Sequence, residues 1–102
     1  MVVEFSIFPL GGRGTGMGRP LAKLLRLVDA SGLDYRLGSM CTVVEGPWEK
    51  VIPLIERCHK EMLKKHPRVI TSIKIDDRKG ARGRIRGKVE SVARHAGGHL
   101  RT

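Results

Sequence analysis

The chain has 102 residues and a formal net charge of +10, with 40% hydrophobic and only 4% aromatic residues. This length suits one compact domain rather than two, and no apolar run approaches the roughly 20 residues that a bilayer-spanning helix needs. Two cysteines outside any CxxC pair argue against a disulfide framework. Cys58, His59, His95 and His99 are possible metal ligands, but no set of three or four ligands has the spacing of a zinc site. We therefore expect a cytoplasmic protein with reduced thiols and no metal.

The positive charge is concentrated near the C-terminal end. Residues 1–77 hold 12 Lys/Arg and 9 Asp/Glu, whereas residues 78–102 hold 8 Lys/Arg and the single acid Glu90. We predict a folded domain over residues 1–92 and a basic, flexible tail over 93–102. This tail is either solvated or an anion-binding arm, and its lack of interleaved aromatics favours the solvated interpretation.

The first half of the chain predicts one strand and one helix. Residues Val2 to Phe8 alternate between apolar and mixed positions, as a strand does, and Pro9 ends the run. A glycine-rich loop, GGRGTGMG, leads to a helix that opens near Pro20 and stops at Gly32. Its apolar stripe has helical spacing and comprises Leu21, Leu24, Leu25 and Val28.

The second half predicts a hairpin, a second helix, a last strand and a short C-terminal helix. The boundaries are 34–37 and 40–45 for the hairpin strands, 46 to about 65 for the helix, 68–76 for the strand and 89–95 for the short helix. Pro53 removes one hydrogen bond inside the second helix, so we expect that helix to bend there or to begin late.

The order of these elements is βαββαβ, which is the pattern of a ferredoxin-like α+β sandwich. Right-handed crossovers place two helices on one face of a four-stranded antiparallel sheet. The first and third strands are expected in the centre, and the last strand at the edge beside the first. No helix is expected on the other face.

The stretch ITSIKIDDR, Ile70 to Arg78, contains most of the last strand and carries charges on the uncovered face. Ser72, Lys74 and Asp76 are predicted to point there, beside Ser6 and Phe8 of the first strand. A face of this mixed character predicts a partner subunit or a ligand. The alternative is a solvated edge strand whose charges only prevent aggregation.

The glycine-rich loop does not match a nucleotide-binding motif. It has the spacing of two P-loop glycines but Met17-Gly18 in place of the lysine and hydroxyl, and it gives GxGxG rather than GxGxxG. A flexible connection is the simple interpretation. The alternative is an anion site in which backbone amides and Arg13 act at the helix start.

Four segments resemble the family of small thiamine-binding proteins: EFSIFPLG, SMCTVVEG, TSIKIDDR and GKVESV. The resemblance covers about residues 2–92, in the right order. It implies a ferredoxin-like fold and a non-catalytic protein without a cofactor, which binds thiamine or a thiamine precursor or phosphate. It also implies a homodimer or homotetramer with ligand sites near subunit contacts, and a role in thiamine homeostasis or salvage.

Thiamine combines a flat aminopyrimidine with a cationic thiazolium, so its site needs aromatic surface, hydrogen-bonding groups and a carboxylate. The predicted ligand-binding residues that meet these needs, with Lys74 as a contact for a phosphate, are Ser6, Phe8, Thr42, Glu45, Trp48, Lys74 and Asp76. Arg13 and Arg78 are further candidates for binding an anion. For Trp48 the alternative, a core residue, is the more common role of a tryptophan at the start of a helix.

A second class of function is a nucleic-acid-binding ferredoxin-like module that uses the basic C-terminal segment. Against it, the strand VITSIKID lacks the aromatics with which RNA-recognition domains stack bases. No motif for a catalytic nucleophile is found either, although Cys41 beside a histidine could be imagined. A purely structural oligomer remains a further alternative.

Overall fold

The computed structural model describes residues 1–11 and 18–102 of the chain. Its elements are β1 (Val2–Leu10), α1 (Gly18–Ala30), β2 (Asp34–Leu37), β3 (Thr42–Glu45), α2 (Trp48–Leu63), β4 (Arg68–Asp76) and α3 (Arg84–His95). Most of the glycine-rich loop, including Arg13, lies outside the described residues, and so does the predicted anion site at this loop. None of the described helices is both long enough and apolar enough to cross a membrane.

The sheet has the strand order β2-β3-β1-β4, with every neighbouring pair antiparallel. β1 and β3 are therefore central, and β4 is an edge strand that pairs with β1 from Val2↔Asp76 to Leu10↔Arg68. The predicted ferredoxin-like α+β fold is confirmed, with α1 and α2 on one face of the sheet.

The core lies between this face and the two helices. Alternate residues of β1 point into it, because side chains of a strand alternate between its faces. The helices contribute residues three and four positions apart, as a 3.6-residue period requires. The buried side chains from these three elements are Val3, Phe5, Ile7, Leu24, Val28, Val51, Leu54, Ile55, Cys58 and Met62.

Two prolines are tolerated inside regular elements. Pro9 does not end β1, which continues to Leu10 opposite β4. In the described register, Pro9 lies beyond the part of β1 that pairs with β3, so this side of β1 is a free edge. A free edge accepts proline because the missing N–H removes no hydrogen bond between strands. Pro53 does not delay α2, which begins at Trp48. Pro53 is exposed on the solvent side, so water can hydrate the carbonyl that lacks its usual donor.

A third helix covers part of the sheet face opposite α1 and α2. Glu45 and Asp76 both pair with Val2 and therefore point away from the core. The Glu45 carboxylate accepts hydrogen bonds from the backbone N–H groups of Arg84 and Ile85, at 3.1 and 3.2 Å. The expectation that no helix covers this face is therefore wrong at this end of the sheet. Glu45 holds the start of α3 against the sheet, because its carboxylate satisfies the first free amides of that helix.

α3 is also longer than predicted. It begins at Arg84 rather than Val89, and Gly87 lies within it. The predicted domain boundary at residue 92 falls inside this helix. At the far end of the segment, the Arg36 guanidinium donates a hydrogen bond to the backbone carbonyl of Thr102 at 2.6 Å. Residues 93–102 thus begin as helix and end in a contact with β2.

Cys58 is expected to resist thiol reagents as long as the protein is folded. It is fully buried, and burial raises the pKa of its thiol from 9 to about 11. Since the folded-state pKa is the higher one, the thiol favours folding below pH 9, and this contribution is lost as the pH rises towards 11. A Cys41→Ser variant that leaves Cys58 as the only thiol should therefore react fully in denaturant but hardly at all when native at pH 8. Rapid reaction of the native variant would contradict this.

Candidate functional site

The predicted ligand-binding residues divide between the two ends of β1. Ser6, Phe8 and Thr42 line a cavity at one end, whereas Glu45 and Asp76 lie at the other, opposite Val2. Val2 and Ser6 are four residues apart, about 13 Å along an extended strand. A single aminopyrimidine ring cannot contact both groups.

The cavity near Ser6 exists because β3 is short. β3 pairs with β1 only from Val2↔Glu45 to Phe5↔Thr42, so in the described register residues 6–10 of β1 have β4 as their only strand partner. The turn between β2 and β3 and three leucines of α1 surround the space that remains. We call this space the β1–β3 cavity, and its volume is about 270 Å³. It is lined by Phe5, Ser6, Ile7, Phe8, Leu21, Leu24, Leu25, Leu37, Gly38, Ser39, Met40, Cys41 and Thr42.

The β1–β3 cavity combines apolar walls with a few polar groups. Phe8 is 42% exposed, so part of its ring is accessible. Thr42 is buried on the helix side of the sheet, whereas Ser6 points to the other side. Both reach the cavity because it opens at the end of β3, where the sheet no longer separates its two faces. Ligand sites typically have this composition and volumes of about 300–1,000 Å³, so the cavity is close to the lower limit.

Cys41 and Glu4 add a polar side to this cavity. Cys41 lines it, and partial burial followed by the nearby Glu4 carboxylate raises the pKa of the Cys41 thiol. Both effects disfavour the thiolate, which is the form that a nucleophilic cysteine requires. The carboxylate of Glu4 instead places a negative charge beside the cavity.

Several cavity residues were absent from the sequence-based prediction. Met40 and Leu37 are 87% and 59% exposed. Large apolar side chains at a tight turn are a recognisable sign of a binding surface, so the sequence did contain a signal for these two residues. Ser39 lies in the same turn. Alternation along β3 was the other available signal, because Thr42 and Glu45 are three residues apart and must point to opposite faces.

At the other end of β1, Glu45 and Asp76 are engaged by α3. Asp76 accepts a hydrogen bond from Lys88, and both Glu45 oxygens accept from α3 amides. The space bordered by Glu45, Asp76, Arg78 and Lys88 is only about 20 Å³, room for about one water molecule. With α3 in this position, an aminopyrimidine ring does not fit between these carboxylates.

The last two predicted residues lie outside both spaces. Trp48 is 49% exposed in the first turn of α2, and its indole N–H donates to Asp77 Oδ2 at 3.1 Å. It is therefore not a core residue. Lys74 is exposed in β4 opposite Glu4.

Comparisons with known proteins extend over nearly the whole chain. A family model described as thiamine-binding protein matches residues 3–93. The UPF0045 protein Mb1933 of Mycobacterium bovis is 35% identical over 96 residues, which are 93% of each chain. The UPF0045 protein YqgV of Bacillus subtilis is 30% identical over 99 residues, 92% of this chain and 95% of YqgV.

Solved structures agree with the sequence matches. The crystal structure of MJ1052 from Methanocaldococcus jannaschii is 29% identical, with a TM-score of 0.82 over 90% of this chain and 94% of that one. A Thermotoga maritima protein whose name suggests thiamine biosynthesis or salvage has a TM-score of 0.76 at 20% identity, over 89% and 96% of the two chains. At that identity the likeness concerns the fold alone. Because the family match spans β1 through most of α3, the chain belongs to the thiamine-binding protein family.

Proposed function

We propose that this protein binds thiamine, a thiamine precursor or a thiamine phosphate in the β1–β3 cavity, without catalysing a reaction. The observation that carries the proposal is an accessible aromatic ring beside hydroxyl groups in a cavity near ligand size, in a chain of this family. The corresponding role is thiamine homeostasis or salvage in the cytoplasm. Two free cysteines support a reducing compartment.

The pyrimidine half of the ligand suits the apolar part of the cavity. The Phe8 ring offers a stacking surface, and the flexible Met40 side chain can adapt to a flat ring. Hydroxyls of Ser6, Ser39 and Thr42 can each donate and accept hydrogen bonds. Alternate residues of β1 beyond Phe5 also direct backbone groups into the gap that β3 leaves, where they can pair with ring nitrogens.

The charge of the ligand suits the polar side. A thiazolium cation near Cys41 would lie close to the Glu4 carboxylate. The net charge of +10 repels a free cation at long range, so a short-range carboxylate contact is needed. The same net charge attracts a phosphorylated derivative.

We expect a Phe8→Ala variant to bind thiamine at least about tenfold more weakly than the natural protein, because it loses the stacking surface. A Phe8→Tyr variant keeps the ring and should bind within about threefold. Titration calorimetry with thiamine, thiamine monophosphate and hydroxymethylpyrimidine measures these affinities. Light scattering on each variant shows whether its assembly state is retained.

Two outcomes would count against this proposal. Absence of heat with all three compounds in the natural protein would reject the ligand class. Equal affinity in the natural protein and the Phe8→Ala variant would leave the ligand class standing but would reject the β1–β3 cavity as its site.

The protein is further proposed to be a homodimer or homotetramer assembled through β4. This edge strand of nine residues has isoleucines exposed on both faces, with Ile70 at 36%, Ile73 at 46% and Ile75 at 37%. An edge with these properties is a template for adding another strand. Because β4 begins with Arg68 and ends with Asp76, antiparallel pairing of two copies brings opposite charges together.

A further inference from the structure

A group of basic side chains surrounds an open concavity between β4 and α3. Its lining residues are Arg78, Lys79, Gly80, Ala81, Arg82 and Arg84, and its volume is about 290 Å³. We call this group the basic loop. Four of the six residues are cations and none is acidic, so the concavity has a strongly positive potential.

The acids closest to the basic loop already have hydrogen-bond partners, and Glu45 and Asp76 border the neighbouring small space rather than this concavity. Asp76 bonds to Lys88, Asp77 accepts from the Trp48 indole, and Glu45 accepts from the α3 amides. Within residues 1–11 and 18–102, no salt bridge includes a cation of the basic loop. Four like charges thus face one space that no acidic side chain lines.

The backbone of the basic loop is shaped by two glycines. Gly80 and Gly83 have φ angles of +76° and +62°, which other residues adopt only with strain. A hydrogen bond of 3.0 Å from the Ala81 N–H to the Arg78 carbonyl closes the turn that contains Gly80. This turn brings Arg78 and Arg84 to the same concavity, although they are six residues apart.

The Arg84 side chain has a hydrogen-bond donor without a partner, and it packs against a glycine of its own helix. Its Nε atom is buried and has no hydrogen-bond partner in the described part of the chain, which is unusual for a buried polar atom. Its guanidinium lies against α3 at Gly87, where an added Cβ would be 3.1 Å from Nη1. Glycine is a poor helix former, and at this position it leaves room for the Arg84 guanidinium that an added Cβ would crowd.

We propose that the basic loop binds a phosphate group, with Arg78 and Arg84 as its principal contacts. Guanidinium groups match the geometry of phosphate oxygens and can donate two parallel hydrogen bonds. A phosphorylated small molecule and the backbone of a nucleic acid share this chemistry. The site lies at the end of β1 opposite the β1–β3 cavity, so it does not depend on the proposed thiamine site.

Pyrophosphate is a suitable probe, titrated into the full chain at about 0.1 M NaCl, where screening limits non-specific attraction. Arg84→Gln and Arg78→Gln are expected to weaken its binding at least about tenfold each. Arg94→Gln removes the same charge from an exposed position near the end of α3 and should change the affinity less than about twofold. Arg78 lies outside every helix and strand, so its variant tests the site even if Arg84→Gln fails to fold.

The possible results either support or overturn the site. No binding of pyrophosphate to the natural protein, or an equal loss in all three variants, would overturn it. A single-stranded oligonucleotide separates the two sources of phosphate. An oligonucleotide that displaces pyrophosphate from the natural protein and from Arg94→Gln, but does not bind Arg84→Gln, would identify a nucleic-acid backbone as the ligand of this site. An oligonucleotide that does not displace pyrophosphate would identify a small phosphorylated ligand. Thiamine itself lacks a phosphate and should bind all three variants equally.

Discussion

Replacing Glu45 by alanine is expected to lower the free energy of unfolding by about 2–3 kcal/mol. The carboxylate accepts from the amides of Arg84 and Ile85, and hydrogen bonds to a charged acceptor contribute about 1.5–3 kcal/mol when their donors are otherwise unsatisfied. Its loss leaves two amides at the start of α3 without a partner. Urea denaturation followed by circular dichroism measures the change.

Two further variants sharpen this test. Glu45→Gln keeps one acceptor oxygen but presents an NH₂ group to the other amide, so its loss should be smaller than that of Glu45→Ala. Glu90→Ala removes an exposed acid from α3 and is expected to change stability by less than about 0.5 kcal/mol. Equal stability of Glu45→Ala and the natural protein would show that these contacts do not hold α3 in place.

The same variant separates the two ends of β1 as ligand sites. If thiamine binds in the β1–β3 cavity, Glu45→Ala should retain its affinity, because Glu45 lies about 13 Å along β1 from Ser6. A loss of about tenfold or more in the folded variant would instead favour the sequence-based prediction of Glu45 as a ligand contact. That result would also require α3 to move, since the space between Glu45 and Asp76 holds only about one water molecule.

Replacing Ile73 by lysine is expected to raise the dissociation constant of the proposed oligomer at least about 100-fold. Ile73 is 46% exposed in the middle of the edge strand β4. In a symmetric assembly through this strand, the change would bury lysines from both copies, and like charges brought together across an interface cost several kcal/mol. Sedimentation equilibrium over a range of concentrations measures the shift towards the 11.3 kDa monomer.

The matched control is Leu63→Lys. Leu63 is 44% exposed, close to the value for Ile73, but it lies at the end of α2. It should leave the oligomer intact. A monomeric natural protein at micromolar concentration would reject the assembly, and dissociation by both variants would move the interface away from β4.

The sequence by itself determined the fold class and the order of the strands. β4 was predicted with its observed bounds, Arg68–Asp76, because alternation in a nine-residue run is a local property of a strand. β2 was also predicted as observed, Asp34–Leu37, because the breakers Gly38 and Ser39 follow it directly. Once the elements were known, right-handed crossovers left one arrangement for four strands and two helices.

Only the tertiary structure decided where the predicted site residues meet. Ser6 and Thr42 reach one cavity from opposite faces of the sheet, because β3 stops opposite Phe5. Glu45 contacts residues 39 and 40 positions away in the chain, and no local pattern predicts that a carboxylate of β3 satisfies the first amides of α3. Hydrophobic periodicity reports which face of an element is buried. The length of pairing between strands and the docking of α3 depend on distant groups that only folding brings together.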